Sequence, residues 1–134
     1  MKTMMCAIVV LITLATVGYA DFNGFATWFT VESCRREETS GITASGRRLD
    51  DSALWCALPF RPPLIKSSGR RAWGRKIRVT NQATGRSIVV EQWDVGPGRR
   101  ARARNVVVDL TPAAFLSLGG RLQDGRLAVR VELL

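Results

Sequence analysis

The chain contains no histidine, which removes the side chain most often used to ligand a metal. Cysteine is scarce too, with three copies at Cys6, Cys34 and Cys56. No metal site and no cofactor are expected. Hydrophobic length is also lacking. One apolar run, Ala7 to Val17, is broken by Thr13 and Thr16 and is short for a membrane span, so no stable membrane anchor is expected. There is no internal repeat and no sign of a second domain, and 134 residues leave room for one modest core.

What is present begins with a leader. Met1 and Lys2 make a short positive start, the apolar run follows, and Gly18-Tyr19-Ala20 offers small residues where a signal peptidase reads. Residues 1–20 are expected to be a secretory signal and residues 21–134 a single exported, monomeric domain, periplasmic or extracellular. Cys6 leaves with the signal. In an oxidising compartment Cys34 and Cys56 are expected to form one disulfide closing a loop of about twenty residues, worth roughly 3 kcal/mol. The alternative is two buried free thiols. Charge is lopsided: 20 basic against 11 acidic residues give a formal net charge of +9, mostly from arginine. Such a surface seeks polyanions, whether acidic wall polymer, membrane or nucleic acid.

Hydrophobic patterning indicates short strands. Gly24 to Val31 reads as an opening strand, Arg75 to Thr80 alternates charge with branched residues, and Ser87 to Trp93 is rich in β-branched and aromatic types. Asn81 to Arg86 is turn chemistry joining the last two as a hairpin. Leu127 to Leu133 alternates as a closing strand. Thr111 as cap, Pro112 in the first turn and Gly119-Gly120 as a stop predict a short helix. Residues 32–51 lack a helical period and are expected to form a loop; Ala53 to Leu58 is a short apolar segment ended by Pro59, and residues 61–73 a Pro-rich basic insert. The expected fold class is mainly β, a small barrel with one or two short helices.

Two carboxylates close β runs. Asp94 leaves the strand ending at Trp93 and enters Gly96-Pro97-Gly98, and Asp109 ends Asn105 to Asp109. A strand end offers rigidity and a loop offers access, which suits a working side chain; the plain alternative is a turn-former or helix-flanking acid.

The order of Gly24-Phe25-Ala26-Thr27-Trp28-Phe29, Thr43-Ala44-Ser45-Gly46, Leu58-Pro59-Phe60, Arg78-Val79-Thr80-Asn81, Asp94-Val95-Gly96-Pro97 and Val108-Asp109-Leu110-Thr111-Pro112 resembles the rare lipoprotein A-like double-psi β-barrel, of the superfamily that includes expansins and barwin-like domains. The resemblance implies a six-stranded barrel with a groove for extended polysaccharide and, in some members, lytic transglycosylase action on peptidoglycan. By motif, Asp94 matches the catalytic aspartate and Asp109 the aspartate that expansins keep in their groove; Thr27 is expected to contact substrate. The chain departs from the pattern before the Leu-Pro, where catalytic members generally carry a histidine and this sequence has Leu54-Trp55-Cys56-Ala57. Two readings therefore stay open: a transglycosylase using Asp94 as acid and then base, or an expansin-like barrel that binds wall polysaccharide without cutting it.

The remaining candidates are cationic and aromatic. The run Arg99 to Arg104, headed by Arg99 and Arg100, is expected to make a solvated loop or to grip the carboxylates and phosphates of a cell wall; a nucleic-acid patch is the remote alternative, and no nucleic-acid partner is expected. Trp73, between Arg71 and Arg75, is the best candidate for an exposed sugar platform, while Trp28 and Trp55 are expected in the core. Strand alternation would point Trp93 away from the face of Asp94.

Overall fold

The computed structural model of the chain describes residues 21–36 and 40–134, excepting the side chains of residues 34–36. The expected signal, residues 1–20, lies outside them. The strands are β1 (Asp21–Trp28), β2 (Trp55–Leu58), β3 (Lys76–Asn81), β4 (Ser87–Val95), β5 (Val106–Leu110) and β6 (Leu127–Leu133). They close into a six-stranded barrel in the order β1-β5-β2-β4-β3-β6. Two neighbouring pairs, β1 with β5 and β2 with β4, run parallel, and the others are antiparallel. The mainly β barrel expected from alternation is therefore the fold, and closure leaves no unpaired edge between its strands.

The alternation in sequence is the inside and outside of this barrel. On β3, Ile77, Val79 and Asn81 are buried while Lys76 and Arg78 are exposed. Val106, Val108 and Leu110 of β5 face the same core, met by Val90, Val129 and Val131. The hairpin of β3 and β4 turns as expected, with Gly85 N–H donating to the Asn81 carbonyl at 2.8 Å and Asn81 N–H to the Arg86 carbonyl at 2.8 Å.

Three helices decorate the barrel: α1 (Val31–Arg36), α2 (Arg99–Ala103) and α3 (Pro112–Ser117). α3 is the expected helix and packs Ala114 and Phe115 into the core. Thr111 holds its N-cap position without a side-chain cap bond; its buried hydroxyl donates to the Ala53 carbonyl at 2.5 Å instead. α1 corrects the expectation of a loop after Glu32. Thr30 and Ser33 exchange a reciprocal pair of bonds, Ser33 N–H to Thr30 Oγ1 at 3.0 Å and Thr30 N–H to Ser33 Oγ at 2.9 Å, and Asp51 Oδ1 accepts from Val31 N–H at 2.9 Å. That is the geometry of a capping box with serine in the return position. α2 likewise turns an arginine run read as loop into a single turn of helix.

The expected bridge is not formed at Cys56, which is a free thiol. Its side chain is 1% exposed and packs within the barrel core, where burial drives the thiol well above its ordinary range and keeps it protonated. The side chain of Cys34 lies outside the described residues.

Candidate functional site

Register places the site. Thr27 of β1 pairs with Asp109 of β5, Asp109 with Ala57 of β2, and Ala57 with Asp94 of β4. Four neighbouring strands thus contribute one residue each to a single row, Thr27-Asp109-Ala57-Asp94. Strands lie about 4.8 Å apart, so the two aspartate Cα atoms stand roughly 10 Å apart with Ala57 between them in the row.

Two slips in register build this row. Between Phe25 and Ala26 the pairing on β5 skips Val107, and between Cys56 and Ala57 the pairing on β4 skips Trp93. Strict alternation would send Asp94 to the side of Gln92, which is fully buried. The slip sets Asp94 level with Ala57 instead. Trp93 packs on Trp55, centroids 5.6 Å apart, with the Arg47 guanidinium 4.0 Å above its ring.

Asp94, Ala57 and Asp109 line one groove of about 430 Å³, walled by Phe29, Pro59 and Pro97 and overlooked by Arg102. Thr27 donates its hydroxyl to Asp109 Oδ1. The other carboxylate oxygen of Asp109 lies beside Gly96, where an added Cβ would stand 3.1 Å away; glycine lets the end of β4 close over the row. Asp94 Oδ1 accepts from the backbone N–H of Ala44 and of Val95, both at 2.8 Å. Among the described residues its Oδ2 accepts no hydrogen bond. Burial raises the pKa of Asp94 above the usual carboxylate range, opposed by those two N–H donors. The cause is desolvation rather than a neighbouring negative charge.

Buried Gln92 supports this end of the barrel. Its amide donates to the Phe60 carbonyl at 2.7 Å and its carbonyl accepts from Arg75 Nε at 2.9 Å, fixing the chain that follows β2. Gly96 N–H donates to the Leu58 carbonyl at 2.9 Å and ties the turn after Asp94 to the same segment.

The structure therefore unites Asp94, Asp109 and Thr27 and separates the other candidates from them. Arg100 lines a second cavity on which Thr27 also borders, and Arg99 is exposed and lines neither. Trp73 is half-buried and lines neither. Trp28 packs against the core with its Nε1 donating to the Leu122 carbonyl at 2.9 Å, whereas Trp55 is half-buried against Trp93 rather than within the core. Sequence reasoning missed Arg102, Phe29 and the Ala44 N–H. The last had a signal in the turn chemistry around Gly41 and Gly46; Arg102 follows only from α2, and Phe29 from the extension of β1 along β5, where its N–H donates to the Leu110 carbonyl at 3.0 Å. Among the described residues no cluster of three or more His, Cys, Asp or Glu side chains is placed to hold a metal ion.

No protein-family model matches the chain. It is 37% identical over 95 residues to a protein of Nostoc sp. named "Probable endolytic peptidoglycan transglycosylase RlpA", an alignment covering 69% of this chain and 21% of that protein. The chain thus spans about a fifth of the length of the curated relative it matches. Among solved structures, the Streptomyces papain inhibitor aligns with a TM-score of 0.62 and 22% identity, covering 88% of this chain and 97% of that one. A Clavibacter michiganensis expansin mutant in complex with cellohexaose aligns with a TM-score of 0.54 and 20% identity over 86% of this chain and 50% of that one. At such identities the two structures speak for the fold, a closed six-stranded double-psi β-barrel, and the match to the Nostoc protein over 69% of this chain identifies it as a rare lipoprotein A-like domain.

Proposed function

We propose that the chain acts on cell-wall glycan, with the groove holding an extended peptidoglycan strand and Asp94 cutting it by lytic transglycosylation. The observation that carries this is Asp94 itself: a half-buried carboxyl with raised pKa, on the wall of an open groove and held by two backbone N–H groups on one oxygen. Such a group retains its proton to higher pH than a solvated aspartate and can deliver it to a glycosidic oxygen. As the bond from the anomeric carbon to that oxygen breaks, Asp94 gives up its proton to the leaving oxygen. The carboxylate then takes the proton of the sugar's own primary hydroxyl, whose oxygen bonds to the anomeric carbon and closes an anhydro ring. The acid is regenerated and no water is consumed. Asp109, fixed by Thr27, stands across Ala57 where its negative charge stabilises the cation that develops on the sugar ring. The names of the Nostoc relative and of the cellohexaose-bound expansin support glycan as the ligand class. Action on a wall polymer also fits the export expected from residues 1–20.

The test is digestion of purified peptidoglycan sacculi by the protein and by Asp94→Asn, with products resolved by mass spectrometry. Anhydro-sugar products from the parent, lowered about 10²- to 10⁴-fold in the variant, are expected. One observation favours a second reading, binding without cutting: the chain has no histidine to assist either carboxylate. Sacculi that pelleted with both forms and released no anhydro product would replace the first reading with the second.

A further inference from the structure

The arginines of α2 divide between two cavities. Arg102 lines the aspartate groove, while Arg100 and Arg104, four residues apart and so on one face of the turn, line a neighbouring cavity of about 590 Å³. Arg126, from the segment before β6, lines the same cavity and stacks its guanidinium 4.3 Å from the Phe25 ring. Asp124 is the carboxylate in the lining, so three guanidiniums face one acid. Among the described residues none of the three arginines is held in an ion pair; those pairs engage Arg78 and Arg130. Thr27 joins the two spaces, since it borders this cavity while its hydroxyl holds Asp109 in the groove.

We propose that this cavity is an anion subsite, taking a carboxylate or phosphate carried on the glycan whose backbone lies along the aspartate row. The inference rests on the glycan reading of the groove and adds a specificity to it: acidic glycans are selected over neutral ones. Guanidinium forks bind both oxyanions with paired N–H donors, and a net positive cavity beside an acidic groove sets the substituent's position along the chain.

The experiment is calorimetric titration of the full chain at low salt with cellohexaose as neutral probe, a hexagalacturonate as carboxylate probe and a phosphorylated oligomannose as phosphate probe. At least one acidic probe is expected to bind roughly tenfold more tightly than the neutral one. The paired variant R100Q/R104Q is expected to collapse that ratio toward one. R70Q/R71Q, which removes equal charge from the 61–73 insert, is expected to keep it. Equal affinity for acidic and neutral probes overturns the subsite alone, as does an equal loss of preference in R70Q/R71Q, which would mean diffuse charge. Tighter binding of duplex DNA than of either acidic probe also overturns it. Failure to bind any glycan overturns the subsite and the groove reading together.

Discussion

Asp94→Asn is expected to make the protein more stable at neutral pH while it removes the chemistry. The carboxyl is half-buried and its pKa is raised by that burial, so ionising it costs more in the folded state than in the unfolded chain. The pH dependence follows from that sign. Below the unfolded pKa the group is protonated in both states and contributes no penalty. As pH rises through the unfolded pKa the penalty begins to develop, and it is complete only above the folded pKa. Asparagine stays neutral throughout, is nearly isosteric, and presents a carbonyl oxygen where Oδ1 accepts from Ala44 and Val95 at 2.8 Å. Its amide nitrogen falls where Oδ2 meets no donor among the described residues.

The net gain combines the removed desolvation penalty with two weakened bonds, because N–H donors hold a charged oxygen more tightly than a neutral one. A gain of at most about 1 kcal/mol at pH 7 is expected once solvent screening of a partly exposed carboxyl is discounted, equivalent to no more than roughly 5 °C in Tm for a domain of this size. Parallel guanidinium or thermal denaturation of both forms from pH 3 to pH 7 reads it. The two curves should converge at the acid end and separate toward neutrality, with the variant above. A variant less stable by 1 kcal/mol or more at pH 7 would refute the reasoning, since the two backbone donors would then stabilise the ionised carboxylate beyond its cost of burial.

Three other expectations concern the frame of the site. Gly24→Ala puts a Cβ 2.6 Å from both the Asn105 carbonyl oxygen and Val107 Cγ1, where β5 bows at the first register slip, and should cost about 1 to 3 kcal/mol in chemical denaturation. Thr27→Val keeps shape but deletes the donor to Asp109 Oδ1. It should lose about 1 to 2 kcal/mol of stability and weaken binding to sacculi in pelleting assays, and a change below 0.5 kcal/mol would mean that the bond does not hold the row. Cys56, buried and with its thiol pKa raised, should be inert to a thiol reagent in the native protein and react once guanidinium unfolds it without reductant. Absence of any reactive thiol in the unfolded, unreduced chain would restore the bridge to Cys34.

The strands were legible because alternation is a local property. β6 could be bounded at Leu127 and Leu133 from its own seven residues, and the hairpin of β3 and β4 from Asn81 to Arg86. The site row was legible only in its members. Asp94, Asp109 and Thr27 stand out as residue types at strand ends, but their alignment depends on two register slips that no single strand encodes. Each slip is a settlement between neighbours, one accommodating Gly24 against Val107 and the other placing Trp93 on Trp55. Thr111 illustrates the same limit: local chemistry gave its hydroxyl to the helix, whereas the barrel gives it to the Ala53 carbonyl. The arginine run failed in the opposite way. Its charge was plain, yet a single turn of helix decides which guanidinium faces which cavity, and five residues carry no period to read.

The missing histidine bears on how many carboxylates the chemistry needs. Hydrolysis with a bound water requires one group to protonate the leaving oxygen and another to activate the nucleophile, at separations that leave room for that water. Transglycosylation supplies its nucleophile from the substrate, so proton donation and proton removal fall in sequence on one group. A single acid of raised pKa is then sufficient for the proton transfers, and Asp94 is the one the barrel desolvates on the groove wall. Asp109 is differently equipped: Thr27 donates its hydroxyl to one oxygen, and the other lies beside Gly96, where any Cβ would stand 3.1 Å from it. On the proposed reading the two carboxylates of the row would divide the labour without an imidazole, Asp94 passing the proton and Asp109 held beside it by Thr27.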